Sequence, residues 1–384
     1  MDPIILLQPP RIVFGENTLI ALADDMLLQN ANSIMILAAI PLLDLLQPLC
    51  KKLEQNNKTV FLYPYNYPGE PTFAQVDALL LETEKFNPDC VVGVGGGSVL
   101  DVAKLLAAVV HNEQNYRDVV GVNLLKTRTK KLICVPTTSG TGSEVSPNAI
   151  ILNETSNAKS GIVSPALLPD LAIIDPLMTV GLPPKFTAET GMDALCHCIE
   201  AYTNKFAHPC VDIYALKGIE LITKNILKAY NNGADIEARA SMALGSMYGG
   251  LVLGPVNTHG VHCLSYGLGG KFHIAHGLAN AILLPAVMRF NVECMPQKHA
   301  DIAIAMGIAP KDTPLETAIA GIEFIEQLLC DCNIPNTLDA LAIKADDLPQ
   351  LAEIAMNTTR LLKNCPREIT KQDAINIYSS ILGE

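Results

Sequence analysis

The apolar residues of this chain keep one rhythm up to the turn Leu182-Pro-Pro-Lys185 and a different one after it. Before the turn, short apolar runs at 33–38, 59–63, 89–94, 132–135 and 171–174 read as strands. Amphipathic stretches at 17–29, 42–55, 72–86 and 98–111 lie between them, each of a length suited to a crossover helix. Strand and helix in alternation predict a mostly parallel sheet. After the turn, 185–202, 210–230, 236–253 and 315–329 carry helical periodicity, and no further run reads as a strand. The expected architecture is an α/β domain over 1–183 followed by an all-α domain over 184–384. A length of 384 residues agrees, because single cores stop growing near about 250–300 residues.

Charge and cysteine usage narrow the class of partner. A net charge of −12 argues against nucleic acid, which needs a basic face. The N-terminus places an acid, Asp2, where a secretory signal needs basic residues, and no apolar run reaches the roughly 18 residues that span a bilayer. The 11 cysteines have no framework spacing, which suits thiols in a reducing, cytoplasmic compartment. Cys196-His-Cys198 and Cys330-Asp-Cys332 lack the two-residue gap of a structural zinc knuckle and read as core or surface thiols.

Two clusters offer metal donors. Asp193 and His197 are four residues apart among helix formers, so on a helix both project from one face. Four of the 8 histidines, His259, His262, His273 and His276, fall between 259 and 276 among apolar and glycine residues. Gly267, Gly269 and Gly270 are expected to end one helix and turn the chain into another, so that His262 and His276 come from separate segments. Three imidazoles and one carboxylate suit Fe(II) or Zn(II) better than calcium or magnesium, which prefer oxygen.

Two polar loops follow strands in the first half. Val94-Gly-Gly-Gly-Ser98 runs from an apolar strand into a helix expected to begin at Ser98, with Asp101 in its first turn. Bare backbone at Gly95, Gly96 and Gly97 lets amides approach a pyrophosphate, and the helix N-terminus favours negative charge. The spacing is not GxGxxG, so a purely structural glycine turn stays open as a reading. Pro136-Thr-Thr-Ser-Gly-Thr-Gly-Ser-Glu144 leaves another strand with five hydroxyls and two glycines. Ligands of open α/β sheets bind outside the carboxyl ends of strands, where both loops lie.

Taken together, Gly95 to Ser98 with Asp101, the 136–144 loop, the 191–202 stretch and the 262–280 stretch resemble the iron-containing (group III) alcohol dehydrogenases. The resemblance runs in order along nearly the whole chain, from Pro10-Arg-Ile-Val-Phe-Gly15 to Asn364-Cys-Pro-Arg367. It implies a Rossmann-like N-terminal domain for a nicotinamide dinucleotide, a helical metal-binding domain and chemistry in a cleft between them, a plan shared with dehydroquinate synthase. It assigns the metal to Asp193, His197, His262 and His276, and sets Gly96, Gly97, Ser98, Asp101, Thr137, Thr138, Thr141 and Lys159 near the dinucleotide. The implied activity is reversible hydride transfer between a small alcohol or diol and NAD or NADP. A dehydroquinate synthase-like lyase and a hydroxyacid-oxoacid transhydrogenase that retains its cofactor are the competing readings.

The chain departs from the family pattern twice. Many relatives carry a histidine four residues after the first histidine of the second cluster; here it is Tyr266, so proton relay is expected to involve Tyr266, His273 or water. NAD-preferring relatives place an aspartate after the second strand, where this chain has Ala39, so NADP(H) is expected to be tolerated. Asn148, Leu251, Leu253 and Phe272 are expected to line the substrate space. A homodimer or larger assembly is expected, through the segment 10–15.

Overall fold

The computed structural model describes residues 3–67, 69–154 and 158–383. Two compact units result, one holding residues 6–138 and 142–180, the other residues 3–5, 139–141 and 181–383. The division is therefore not a single cut, because three residues of the 136–144 loop belong with the helical unit.

The first unit contains β1 (Ile12–Phe14), α1 (Thr18–Ala21), α2 (Met26–Gln29), β2 (Ser33–Ala39), α3 (Leu43–Gln55), β3 (Thr59–Tyr65), α4 (Phe73–Phe86), β4 (Cys90–Gly95) and α5 (Gly97–Val109). It continues with β5 (Gly121–Val122), β6 (Lys131–Pro136), β7 (Asn148–Asn153), β8 (Ala158–Val163) and β9 (Leu171–Ile174). Among the described residues a six-stranded sheet has the order β1-β9-β6-β4-β2-β3, every pair parallel. Its central strands alternate between two cores. Met35, Leu37, Val91 and Leu132 face one apolar layer, while Ile34, Ile36, Val92 and Ile133 face the other, as expected of a sheet covered on both sides.

The predicted strands and crossover helices lie close to where the apolar periods put them, with two corrections. The 17–29 stretch is not one helix: Asp25 is extended and its side chain accepts from Leu27 N, so a new helix starts there. A small second sheet, β5-β8-β7, was also not foreseen. Its antiparallel pair β7/β8 is rich in Asn, Lys, Ser and Gly, which mutes the strand signal.

The second unit is helical: α6 (Pro184–Thr203), α7 (Pro209–Asn231), α8 (Ile236–Leu253), α9 (Gly260–Phe272), α10 (His276–Asn291), α11 (Pro296–Ala305), α12 (Pro314–Asp331), α13 (Leu348–Asn357), α14 (Thr359–Leu362) and α15 (Lys371–Ser379). One continuous apolar core binds them. The glycines of the second cluster do not make the expected turn. α9 runs through Gly267, Gly269 and Gly270 and stops only at His273, whose φ of 55° is left-handed. A Cβ at Gly267 would meet Leu351 at 2.8 Å, so this glycine serves close packing of α9 against α13.

Candidate metal centre

α6 presents Asp193, His197 and Glu200 along one stripe, since residues four and seven apart recur on the same helical face. All three are buried. His262 comes from α9, and His276 is the first residue of α10. Gly277 explains how α10 comes so close: a Cβ there would lie 2.3 Å from the Glu189 carbonyl oxygen of α6, a distance no side chain could occupy. Only a bare backbone lets the start of α10 bring His276 against Asp193.

The donor atoms of Asp193, His197, His262 and His276 all lie within 4.8 Å of one another. Nε2 of His197, His262 and His276 stand 3.8, 3.7 and 3.7 Å from Asp193 Oδ1. Burial pushes the Asp193 carboxyl up, but the imidazoles and the Asn280 amide outweigh it and hold it at about 2. Asp193 is therefore ionised at any physiological pH. Burial pushes His197 below its ordinary value against the pull of Asp193, which keeps its ring neutral and its lone pair available. The His276 side chain is 25% exposed while the other three are nearly sealed, so solvent reaches the cluster on the His276 side.

Two neighbours of the donors were not singled out from the sequence. Glu200 accepts from His262 Nδ1 at 2.5 Å and from Val261 N at 2.6 Å. Burial raises the Glu200 carboxyl, and His259, His262 and the Val261 amide bring it down to about 2. With its proton on Nδ1, His262 turns an unprotonated Nε2 toward Asp193. Asn280 places its amide nitrogen 2.7 Å from Asp193 Oδ1. The i, i+7 spacing from Asp193 and the i, i+4 spacing from His276 were the signals that could have found them.

The glycine loop of the first unit forms where β4 and β6 end side by side, Gly95 opposite Pro136. Thr137 N donates to the Gly95 carbonyl at 3.0 Å, and a Cβ at Gly96 would lie 3.4 Å from Thr138 Cγ2. A Cβ at Gly95 would strike Val99 at 2.6 Å. α5 begins at Gly97, one residue before the expected start, and Gly96 caps it without a side chain. Asp101 consequently sits in the second turn, where it accepts from Ser143 Oγ at 2.6 Å and from Ile150 N at 2.9 Å. The Ser98 hydroxyl donates to the Gly69 carbonyl at 2.9 Å, and Lys159 pairs with Glu70 at 2.6 Å. Asp101, Ser98 and Lys159 thus hold the surrounding loops and strands. Ala39 ends β2 opposite Tyr65.

The remaining residues singled out from sequence fall on both units. Tyr266 lies one turn beyond His262, its hydroxyl accepting from Arg360 Nη2 at 3.3 Å, and His273 is exposed at the end of α9. Thr141 falls in the helical unit. Asn148 opens β7 with Oδ1 buried and unpartnered. Leu251 and Leu253 are buried on α8, and Phe272 is the last residue of α9.

The sequence family described as iron-containing alcohol dehydrogenase matches residues 9–176, and the C-terminal part of the Fe-containing alcohol dehydrogenase family matches residues 187–382. Alcohol dehydrogenase 4 of Saccharomyces cerevisiae (strain ATCC 204508 / S288c) is 37% identical over 376 residues, covering 96% of each chain. The crystal structure of a 1,3-propanediol oxidoreductase superposes with a TM-score of 0.94 at 31% identity, covering 99% of this chain and 100% of that one. Sulfoacetaldehyde reductase from Bifidobacterium kashiwanohense, solved in complex with NAD+, gives a TM-score of 0.87 at 27% identity over 99% of both chains.

Proposed function

The chain belongs to the iron-containing alcohol dehydrogenase family, and from that premise we propose that Asp193, His197, His262 and His276 hold Fe(II) for oxidation of small aliphatic alcohols or diols and the reverse reduction. It is a metal-dependent alcohol dehydrogenase that uses a nicotinamide dinucleotide. The observation that carries the site assignment is the convergence of four donors, three of them nearly sealed from water, within 4.8 Å. Three imidazoles and one carboxylate are a fitting set for a borderline divalent cation, and Zn(II) is the alternative to Fe(II).

A bound cation would polarise an alcohol or carbonyl oxygen and ease loss of the alcohol proton, while a nicotinamide ring would take or return the hydride. The chain's own residues prepare for that chemistry. Asp193 contributes the negative charge, and burial keeps His197 neutral. Glu200 fixes the proton of His262 on Nδ1. Gly95, Gly96 and Gly97 with the uncapped start of α5 form the cradle proposed for the pyrophosphate, and Thr137 and Thr138 border it. Ala39, at the end of β2, offers no carboxylate to repel a 2′-phosphate, so either NADP or NAD is accommodated. Proton exchange with solvent is assigned to Tyr266 and the exposed His273.

A cytoplasmic homodimer or larger oligomer, joined through β1 at the end of the sheet, completes the reading. All 11 cysteines are free, consistent with a reducing compartment, and among the described residues no helix is long and apolar enough to cross a membrane. Scattering mass in solution tests the assembly. The enzyme reading is tested anaerobically with Fe(II), NADH or NADPH and short aldehydes, following loss of reduced-nicotinamide absorbance. Asp193→Ala and His262→Ala are expected to abolish turnover while leaving dinucleotide binding intact. Substantial turnover in either variant after loss of metal would refute the assignment, and tightly retained cofactor without net consumption would favour the transhydrogenase or lyase readings.

A further inference from the structure

Asn280 stands one turn after His276 on α10 and is fully buried. Its amide nitrogen meets three donors at once: Asp193 Oδ1 at 2.7 Å, His262 Nε2 at 3.1 Å and His276 Nε2 at 3.2 Å. Toward Asp193 this is an ordinary N–H···O bond. Toward the two imidazoles, the amide protons address the lone pairs that would otherwise bind a cation. An NH2 group has two protons, so it is shared among three acceptors. The other end of the amide, Oδ1, is buried without a hydrogen-bond partner, an unfavourable arrangement for a strong acceptor.

Both facts have one resolution. A dication held by the four donors repels the positive end of the amide dipole and attracts the negative end. A half-turn about the last side-chain torsion, which is soft and close to two-fold in asparagine, exchanges nitrogen and oxygen with almost no change of shape. We propose that Asn280 is a fifth, reversible element of the metal centre: its NH2 ties the donors together without an ion, and its Oδ1 turns to the ion on loading. The inference rests on reading the four donors as the metal centre. It makes loading a side-chain rotation within donors that are already in place, rather than a rearrangement of helices.

Asn280→Ala and Asn280→Asp separate this role from packing. With Zn(II) as a diamagnetic probe and a chromogenic chelator as competitor, Asn280→Ala is expected to bind about 10–100-fold more weakly than wild type. Asn280→Asp, which presents oxygen in either orientation, is expected to bind at least as tightly as wild type. Its unfolding temperature should fall only without Zn(II), where a second carboxylate faces Asp193. In wild type, the side-chain amide resonances of Asn280, identified by their loss in Asn280→Asp, should move when Zn(II) is added. Wild-type Zn(II) affinity in Asn280→Ala, with equal destabilisation in the presence and absence of Zn(II), would overturn the proposal in favour of packing. Should Asn280→Ala not fold, amide resonances unmoved at saturating Zn(II) would overturn it equally. Failure of the wild-type chain to bind Zn(II) at all would remove the metal-centre reading and this inference together.

Discussion

Glu200 and His262 share a 2.5 Å contact in which the imidazole Nδ1 faces a carboxylate that also accepts the Val261 amide. A glutamine at that position has a single acceptor oxygen, and the Val261 N–H, which cannot reverse, claims it. The NH2 end then faces His262 Nδ1 and drives the ring proton to Nε2, the atom aimed at the ion. Glu200→Gln is therefore expected to weaken divalent-metal binding by about 10–100-fold. A chelator competition assay returning wild-type affinity would show that the tautomer is fixed by something else.

Gly277→Ala tests how α10 reaches α6. The added Cβ would fall 2.3 Å from the Glu189 carbonyl, so the helices must separate. The expected cost is about 1–3 kcal/mol in denaturant unfolding, the range for forcing extra volume into a packed site. Metal affinity should fall with it, because His276 opens α10.

Glu144 carries a stability term with a definite pH window. Burial raises its carboxyl in the folded chain to about 7 from an ordinary value near 4.5. Below about pH 4.5 both folded and unfolded chains are protonated there and ionisation costs nothing. Between that pH and about 7 the unfolded chain releases a proton that the folded chain keeps, so stability declines, by about 3 kcal/mol if the full shift is realised. Glu144→Gln removes the decline. Its stability relative to wild type should rise across this interval and level off above it, and a difference independent of pH would contradict the assignment.

Ala39→Asp addresses cofactor choice. Wild type is expected to discriminate against NADP(H) by less than a hundredfold in kcat/KM. The introduced carboxylate, at the end of β2, should shift preference toward NAD(H) by tenfold or more through repulsion of the 2′-phosphate. Unchanged selectivity would place the ribose elsewhere.

Much of the architecture was legible because burial imposes period. β2, β4 and β6 are apolar on both faces and announce themselves as short runs, and the expected span 236–253 is the span of α8. Asp193 and His197 were legible for the same reason, one helical face. What escaped depended on partners distant in sequence. Gly267 reads as a helix breaker in isolation, yet it is a contact surface for Leu351. Nothing local shows that Ser98 donates to the Gly69 carbonyl or that Lys159 pairs with Glu70, both partners distant in sequence. Glu200 looked like one more helical glutamate, because nothing local shows that His262 and the Val261 amide converge on it.

The three residues 139–141 carry a consequence for dissecting the molecule. A Cβ at Gly140 would lie 2.7 Å from Thr190 Cβ, so this loop tip packs directly on α6, one turn before Asp193. β6 ends only three residues before the tip, at Pro136. A fragment started at residue 181 would therefore be born without a piece of its own wall, and the helix bearing Asp193 and His197 would open to water beside Thr190. Gene halves split at the Pro183 turn should thus be poor modules for swapping between relatives, whereas exchanges that carry the 139–141 tip along with the helices keep each wall with its owner.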